Sequence, residues 1–465
     1  MARGARLFLV ALVLTTSSFG TVPFAGAEPP PVDAGSLPPP AEPGPVDDTA
    51  QRSPCTTVDI VDDTATIPEP QRLLDFPAVW PLTRGAGQLV AVIDTGVGRN
   101  ARLPGLVPGG DYVSSGDGTQ DCDAHGTLVA GLVAARPVAG SGFAGGAPDA
   151  RILAVRQSSR HFSAHRPDAG DQDARTSPGY GNVRTMAMAV RHAADRGATV
   201  INISEVACAP AAEGIDDPEL GAAVRYATEV KDVVVVAAAG NVEDRCRGSN
   251  PHGLDPLRPG ADPWRAVTTV ASPAWYDDYV LTVGSVEPDG SPSSFSLPGP
   301  WVDVAAPGSG VVSLHPTADA LVDAYPGAQG PTPVAGTSFA APLVSATVAL
   351  VRARFPHLDA RAVAMRIEAT AHGPAEGWNP RVGHGVIDPF AAVTAPPAEA
   401  RPPVAASVAV APPAPPAPTD QRPRNVAVVA ATVVLAIVGA TAALRRRRQL
   451  PAPTGAGSGS GATPS

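Results

Sequence analysis

Five short apolar runs rich in β-branched residues punctuate the middle of this chain: Gln88–Ile93, Arg151–Val155, Thr199–Ile203, Val233–Ala238 and Val280–Val283. A strand with one face in water alternates apolar and polar residues. These runs do not alternate, so each must bury both faces, as strands do inside a parallel sheet covered on both sides. Between them lie helical patterns at His125–Ala135, Asn182–Gly197, Glu219–Val230, Ser338–Phe355 and Asp359–Ala371, several ending near Gly or Pro. Strand–helix alternation requires right-handed crossovers and builds a doubly wound α/β sandwich. Sites in such folds form at the carboxyl ends of the strands.

Four polar residues fall where that architecture gathers them. Asp94 ends a strand in Val90–Val97 (VAVIDTGV), and His125 opens a helix in His125–Gly131 (HGTLVAG). Asn241 follows a strand in Ala237–Asn241 (AAAGN), and Ser338 opens a helix in Gly336–Pro342 (GTSFAAP). A serine hydroxyl is a weak nucleophile and needs a neighbouring base. His125 suits that base, first taking the proton and later returning it to a leaving amine. Asp94 would hold the imidazole tautomer and stabilise its charged form, with Gly96 and Gly126 relieving crowding beside the pair. Asn241 and the Ser338 backbone N–H would donate to a developing oxyanion, where losing one donor costs ~3–4 kcal/mol. Each motif alone has a plainer reading: DTG as a strand-end turn or an aspartic-protease motif, HG as a cap, Asn241 as a turn residue, and GTS as a common tripeptide. The order Asp…His…Ser also departs from His…Asp…Ser and Ser…Asp…His hydrolases.

Together and in this order, the motifs resemble the subtilisin-like serine proteases (peptidase S8) over roughly Ala78 to Val393. The resemblance implies a subtilisin-like doubly wound parallel sheet with helices on both faces. It also implies an endopeptidase acting on protein or peptide substrates, without a cofactor. By the same resemblance, the segment after the Thr199–Ile203 strand lines the primary specificity pocket with Ala239 and Gly240. Here that segment reads Ser204-Glu205-Val206-Ala207, where many relatives have Ser-Leu-Gly-Gly. Val206 in place of glycine reshapes the wall and Glu205 brings a carboxylate to it, which points to a restricted substrate range. In the fold so implied, the strands preceding Cys208 and Cys246 are neighbours, so those cysteines are paired. Cys55 is then left with Cys122, three residues before His125. No C-x-x-C pair and no dense carboxylate loop is present, so no metal is expected. Asn202-Ile203-Ser204 matches a glycosylation sequon, but its place at a buried strand end argues against modification.

Both ends differ from the middle. Arg3 and Arg6, the apolar Leu7–Leu14 and the small-residue Ala25-Gly26-Ala27 read as a signal peptide over 1–27. Glu28–Asp48, rich in proline and acid, is expected to be extended or disordered, and Thr49–Asp75, carrying Cys55, to lie on the domain surface. The peptidase domain is placed at 76–394 and a proline-rich spacer at 395–424, with PPAPPAP at Pro412–Pro418. Val426–Leu444 is an uncharged run of 19 residues, which places a membrane helix at 425–444. Arg445–Arg448 favour a cytoplasmic side for the tail, 445–465, and leave the domain outside. Four cysteines between a signal and an anchor fit an oxidising compartment. With 34 basic against 44 acidic residues, and Lys231 as the single lysine, a nucleic-acid partner is excluded.

This layout, the Cys-bearing extension and Ala271–Val286 (ASPAWYDDYVLTVGSV) resemble the mycosins, membrane-anchored proteases of type VII secretion systems. That resemblance implies association with the secretion membrane complex and processing of selected secreted substrates. The other readings are a mainly structural subunit of that complex and a stand-alone surface protease. The polar loop Ser158–Tyr180 suits partner binding, cleavage or a disordered insertion.

Overall fold

The computed structural model describes residues 27–165, 175–243, 246–258, 260–327, 330–396 and 422–448. Residues 1–26 of the expected signal peptide, the loop centre at 166–174, most of the expected spacer and the tail from 449 lie outside the described residues.

Seven parallel strands form the central sheet. They are β1 (Leu89–Asp94), β2 (Leu106–Asp111), β3 (Arg151–Arg156), β4 (Val200–Ile203), β5 (Val234–Ala238), β6 (Val280–Val286) and β7 (Val304–Pro307). Their order across the sheet is β7-β6-β5-β4-β1-β3-β2. The apolar runs sort residue by residue between two cores. Val90 and Val92 of β1 enter one core, while Ala91 and Ile93 enter the other; Val234 and Val236 of β5 likewise oppose Val233 and Val235. The first core is closed by α1 (His125–Ala134), α4 (Thr337–Arg354) and α5 (Ala360–Thr370). The second is closed by α2 (Val183–Asp195) and α3 (Pro218–Arg225). Each fully buried Val, Leu or Ile contributes roughly 1.5–3 kcal/mol of transfer free energy, which is why strands without a polar face are stable only here.

Two strands escape the apolar-run criterion. β2 is an edge strand carrying Pro108, Gly109 and Gly110, with its register shifting between Pro108 and Asp111; edges tolerate proline because one row of N–H groups is unpaired. β7 is four residues, VAAP, too short to stand out. α3 is shorter than the pattern Glu219–Val230 suggests, because a π-type turn takes over at Tyr226–Val230.

The N-terminal extension is stitched to this body. Thr49–Gln51 pairs antiparallel with Phe162–Ala164, and Asp59–Ile60 with Leu321–Tyr325. Residues 28–48 are extended apart from a 3-10 turn at Ala34–Ser36 and are also held: Val32 and Leu37 pack on the second core, and the Arg191 guanidinium donates to the Pro38 carbonyl at 3.1 Å. Apolar side chains interspersed among the prolines give this segment something to bury.

The C-terminal helix α6 (Arg422–Arg448) is a separate unit. The most apolar 18-residue window within Arg422–Arg446 has a mean hydropathy of 2.5, and among the described residues α6 is the one helix long and apolar enough to cross a membrane.

Candidate active site

β1 ends on Asp94, which is fully buried. Its Oδ1 accepts from Thr95 N at 2.7 Å and from His125 Nδ1 at 2.7 Å. A carboxylate only accepts, so Nδ1 carries the hydrogen and Nε2 is left to face a nucleophile. His125 is the first residue of α1, preceded by Ala124 in the left-handed region (φ 65°). The approach is close: a Cβ on Gly126 would lie 2.1 Å from the Gly96 carbonyl and 3.0 Å from Asp94 Oδ1. Glycine is therefore required at 126 for steric reasons.

Asp121 ties the two loops together. It accepts from Thr95 Oγ1 at 2.8 Å, from Thr127 N at 2.8 Å and from Thr127 Oγ1 at 2.6 Å, and its burial pushes its carboxyl up to about 7. The Phe339 ring lies 5.1 Å from that of His125 and packs against it. Burial by itself would lower His125, but the charge and hydrogen bond of Asp94, followed by the charge of Glu205, raise it to about 9. Glu205 Oε1 stands 3.8 Å from His125 Nδ1, and burial pushes the Glu205 carboxyl up to about 8 despite the opposing pull of His125.

Ser338 is the second residue of α4, and Pro342 sits four residues later inside the helix. Proline has no N–H, so the Ser338 carbonyl has no intrahelical donor. Ser204 Oγ fills that role at 2.8 Å, and Ser338 Oγ in return donates to the Ser204 carbonyl at 2.8 Å. Among the described residues the hydroxyl partner of Ser338 is thus Ser204, not His125. A hydroxyl changes partner by rotation about one bond, so this pair marks a resting position of the nucleophile. Asn202 anchors the arrangement: its Nδ2 donates to Ser204 Oγ at 2.9 Å and its Oδ1 accepts from Ser345 Oγ at 2.8 Å. Fully buried and doubly bonded, Asn202 offers no surface for glycosylation.

Asn241 is oriented by Thr337. Its Oδ1 accepts from Thr337 N at 3.0 Å and Thr337 Oγ1 at 3.1 Å, which directs the donor end, Nδ2, the other way. The Ser338 N–H is likewise in the first turn of α4, where helix N–H groups have no partner within the helix.

His125, Ser338, Asn241, Ser204, Glu205 and Val206 line one cleft of about 780 Å³. Ala239 does not reach it: it is fully buried in the second core, and its N–H bonds the Val283 carbonyl at 2.9 Å. Gly240 supplies backbone beside it, with Val206 and Leu297 3.4–3.5 Å from where a Cβ would stand. Both disulfides form. Cys55–Cys122 fastens the extension next to the histidine loop, and Cys208–Cys246 lies in the cleft wall. Arg160 and Arg175–Pro178, from the polar loop, also line the cleft.

One cluster among the described residues brings three metal-type donors within 4.8 Å: Asp94, His125 and Glu205. Its shortest separation, 2.7 Å, is a hydrogen bond, whereas two ligands on one tetrahedral zinc keep more than ~3 Å apart. We assign no ion there. The residues that sequence reading missed are Asn202, Asp121, Thr337 and Phe339. Only Thr337 and Phe339 had a signal, as neighbours within the GTSFAAP motif.

A buried Asp–His pair facing a cleft with a helix-start serine and an asparagine amide defines a serine hydrolase on a doubly wound sheet. The chain belongs to the subtilase family (peptidase S8), whose model matches residues 85–385, and it is a subtilisin-like serine protease. Within that family its likeness is to the mycosins. It is 49% identical to mycosin-4 of Mycobacterium tuberculosis over 450 residues, 95% of this chain and 96% of that one. It is 46% identical to a crystal structure of MycP1 from the ESX-1 type VII secretion system, with TM-score 0.75 over 79% of this chain and 96% of the other. A chain in the structure of an intact ESX-5 inner membrane complex is 45% identical, with TM-score 0.76 over 90% of this chain and 100% of that chain.

Proposed function

We propose that this chain is a membrane-anchored serine endopeptidase that cleaves selected substrates of a type VII secretion system and associates with the membrane complex of that system. The carrying observation is the 2.7 Å Asp94–His125 contact at a cleft shared with Ser338 and Asn241. With a peptide in the cleft, the Ser338 hydroxyl leaves the Ser204 carbonyl and passes its proton to His125 Nε2 as Oγ attacks the scissile carbonyl. Asn241 Nδ2 and the Ser338 N–H receive the oxyanion. Asp94 stabilises the imidazolium, which then protonates the leaving amine; a water repeats the sequence to release the acyl group. Val206 and Glu205 in the wall restrict which peptides fit.

α6 serves as the anchor. Arg445–Arg448 at its end hold the tail in the cytoplasm, and the peptidase domain (76–394) stands outside on the spacer. The inner-membrane assemblies containing similar chains support the association.

A fluorophosphonate probe tests the chemistry. It should label the full-length protein, and Ser338→Ala should abolish the label. Complementing a deletion strain tests the role. If Ser338→Ala fully restores secretion, the protein acts as a structural subunit and its proteolysis is dispensable.

A further inference from the structure

Glu205 is out of place by the ordinary rules of burial. It follows the end of β4, between Ser204 and Val206 in the cleft wall, and its side chain is 16% exposed. Among the described residues no donor hydrogen-bonds its carboxylate, and its one ionisable contact is His125 at 3.8 Å. A carboxylate largely withdrawn from water and given no donor costs free energy unless a partner arrives. Arg160, whose charge also acts on Glu205, does not supply one. The Arg160 guanidinium turns to Asp123, with Nε at 3.5 Å from Oδ1, and its side chain stays 59% exposed.

We propose that Glu205 forms a subsite for the cationic side chain, arginine or lysine, of a bound peptide. This rests on the peptidase reading above and names the chemistry that its cleft selects. A guanidinium fits best, since its planar fork meets a carboxylate through two parallel hydrogen bonds. A neutral side chain of equal length would leave the carboxylate covered and unpaired, and sites with stranded polar groups reject such analogues strongly.

The same geometry couples recognition to catalysis. Asp94 and Glu205 both face the His125 imidazole, and each favours its protonated form. Asp123 and Arg160 also act on Glu205, and Asp121 on His125. Among the described residues, Tyr325, Arg175 and Glu243 complete the charged or titratable lining of the cleft. A substrate cation seated on Glu205 offsets that carboxylate, so His125 gives up its proton at lower pH in the complex than in the free enzyme.

The test uses the full-length protein in detergent micelles. Peptide pairs differ only by arginine or norleucine, placed in turn at each of the four residues before the scissile bond. We expect at least a tenfold preference in kcat/KM for arginine at one position, falling to within twofold in Glu205→Gln and retained in Glu205→Asp. For the arginine peptide the acid limb of kcat, which reports the complex, should lie at lower pH than that of kcat/KM, which reports the free enzyme. The two limbs should coincide for the norleucine peptide. Fluorophosphonate labelling of Ser338 shows that each variant is folded and competent. Labelled wild-type protein that cleaves both peptides equally at every position would overturn the subsite and leave the peptidase intact. No labelling and no cleavage would overturn both.

Discussion

Above about pH 8, where its carboxyl ionises, Glu205 puts one negative charge beside the catalytic base, and Glu205→Gln removes that charge while keeping the side-chain volume. In the free enzyme this should move the pH dependence of nucleophile activation. His125 accepts the Ser338 proton only when its imidazole is neutral, and it is held at about 9. Removing a carboxylate 3.8 Å away destabilises the imidazolium, so the neutral form appears at lower pH. Two unit charges at about 4 Å interact by ~4 kcal/mol at an effective dielectric of 20 and by ~1 kcal/mol at the value for water. At ~1.4 kcal/mol per pH unit, the acid limb should fall by between ~0.7 and ~3 units. A fall of one unit raises the neutral fraction at pH 8.5, where the Glu205 carboxyl is mostly ionised, about threefold. The assay is the rate of Ser338 acylation by a small neutral fluorophosphonate between pH 5 and 10, which needs no knowledge of the natural substrate. Glu205→Gln should react faster than wild type at pH 8.5 and about equally fast at pH 10. A limb that stays in place, or moves to higher pH, refutes the electrostatic reasoning.

Three further outcomes follow from the same geometry. Asn241→Ala should lower kcat ~100–1,000-fold with little change in KM, because the lost donor acts on the oxyanion and not on the bound peptide. Ser204→Ala leaves the Ser338 carbonyl without a donor, since Pro342 cannot supply one; unfolding by denaturant should show a loss of ~1–3 kcal/mol. Replacing Cys55 and Cys122 together by Ser opens a loop of 67 residues, for which chain entropy gives ~4 kcal/mol. Limited proteolysis should then cut within residues 49–60 while leaving the 208–246 disulfide in place, as peptide mapping would show.

Much of the fold was legible because strands buried on both faces cannot carry polar residues. That constraint located five of the seven parallel strands and brought Asp94, His125, Asn241 and Ser338 to one edge of the sheet. It missed β2 and β7, where an edge position and a short length weaken the need for apolar residues. Ala239 was expected in the pocket wall by the family resemblance. The alternation along the strand instead turns it into the second core, leaving Gly240 and Asn241 beside the cleft.

The linear chain by itself determined the reaction and the apolar C-terminal helix, because both depend on local composition: a motif at a strand end, a motif at a helix start, an uncharged run of sufficient length. Only the tertiary structure decided what surrounds the reacting groups. Ser204 and Ser338 are 134 residues apart, and their reciprocal hydrogen bonds exist because Pro342 withholds a helix N–H and the end of β4 arrives in its place. Glu205 is ordinary as a letter in a sequence. It acquires its character from burial without a donor beside the imidazole, a property of distance and solvent access. Folding alone sets these, because they depend on which segments the sheet order makes neighbours.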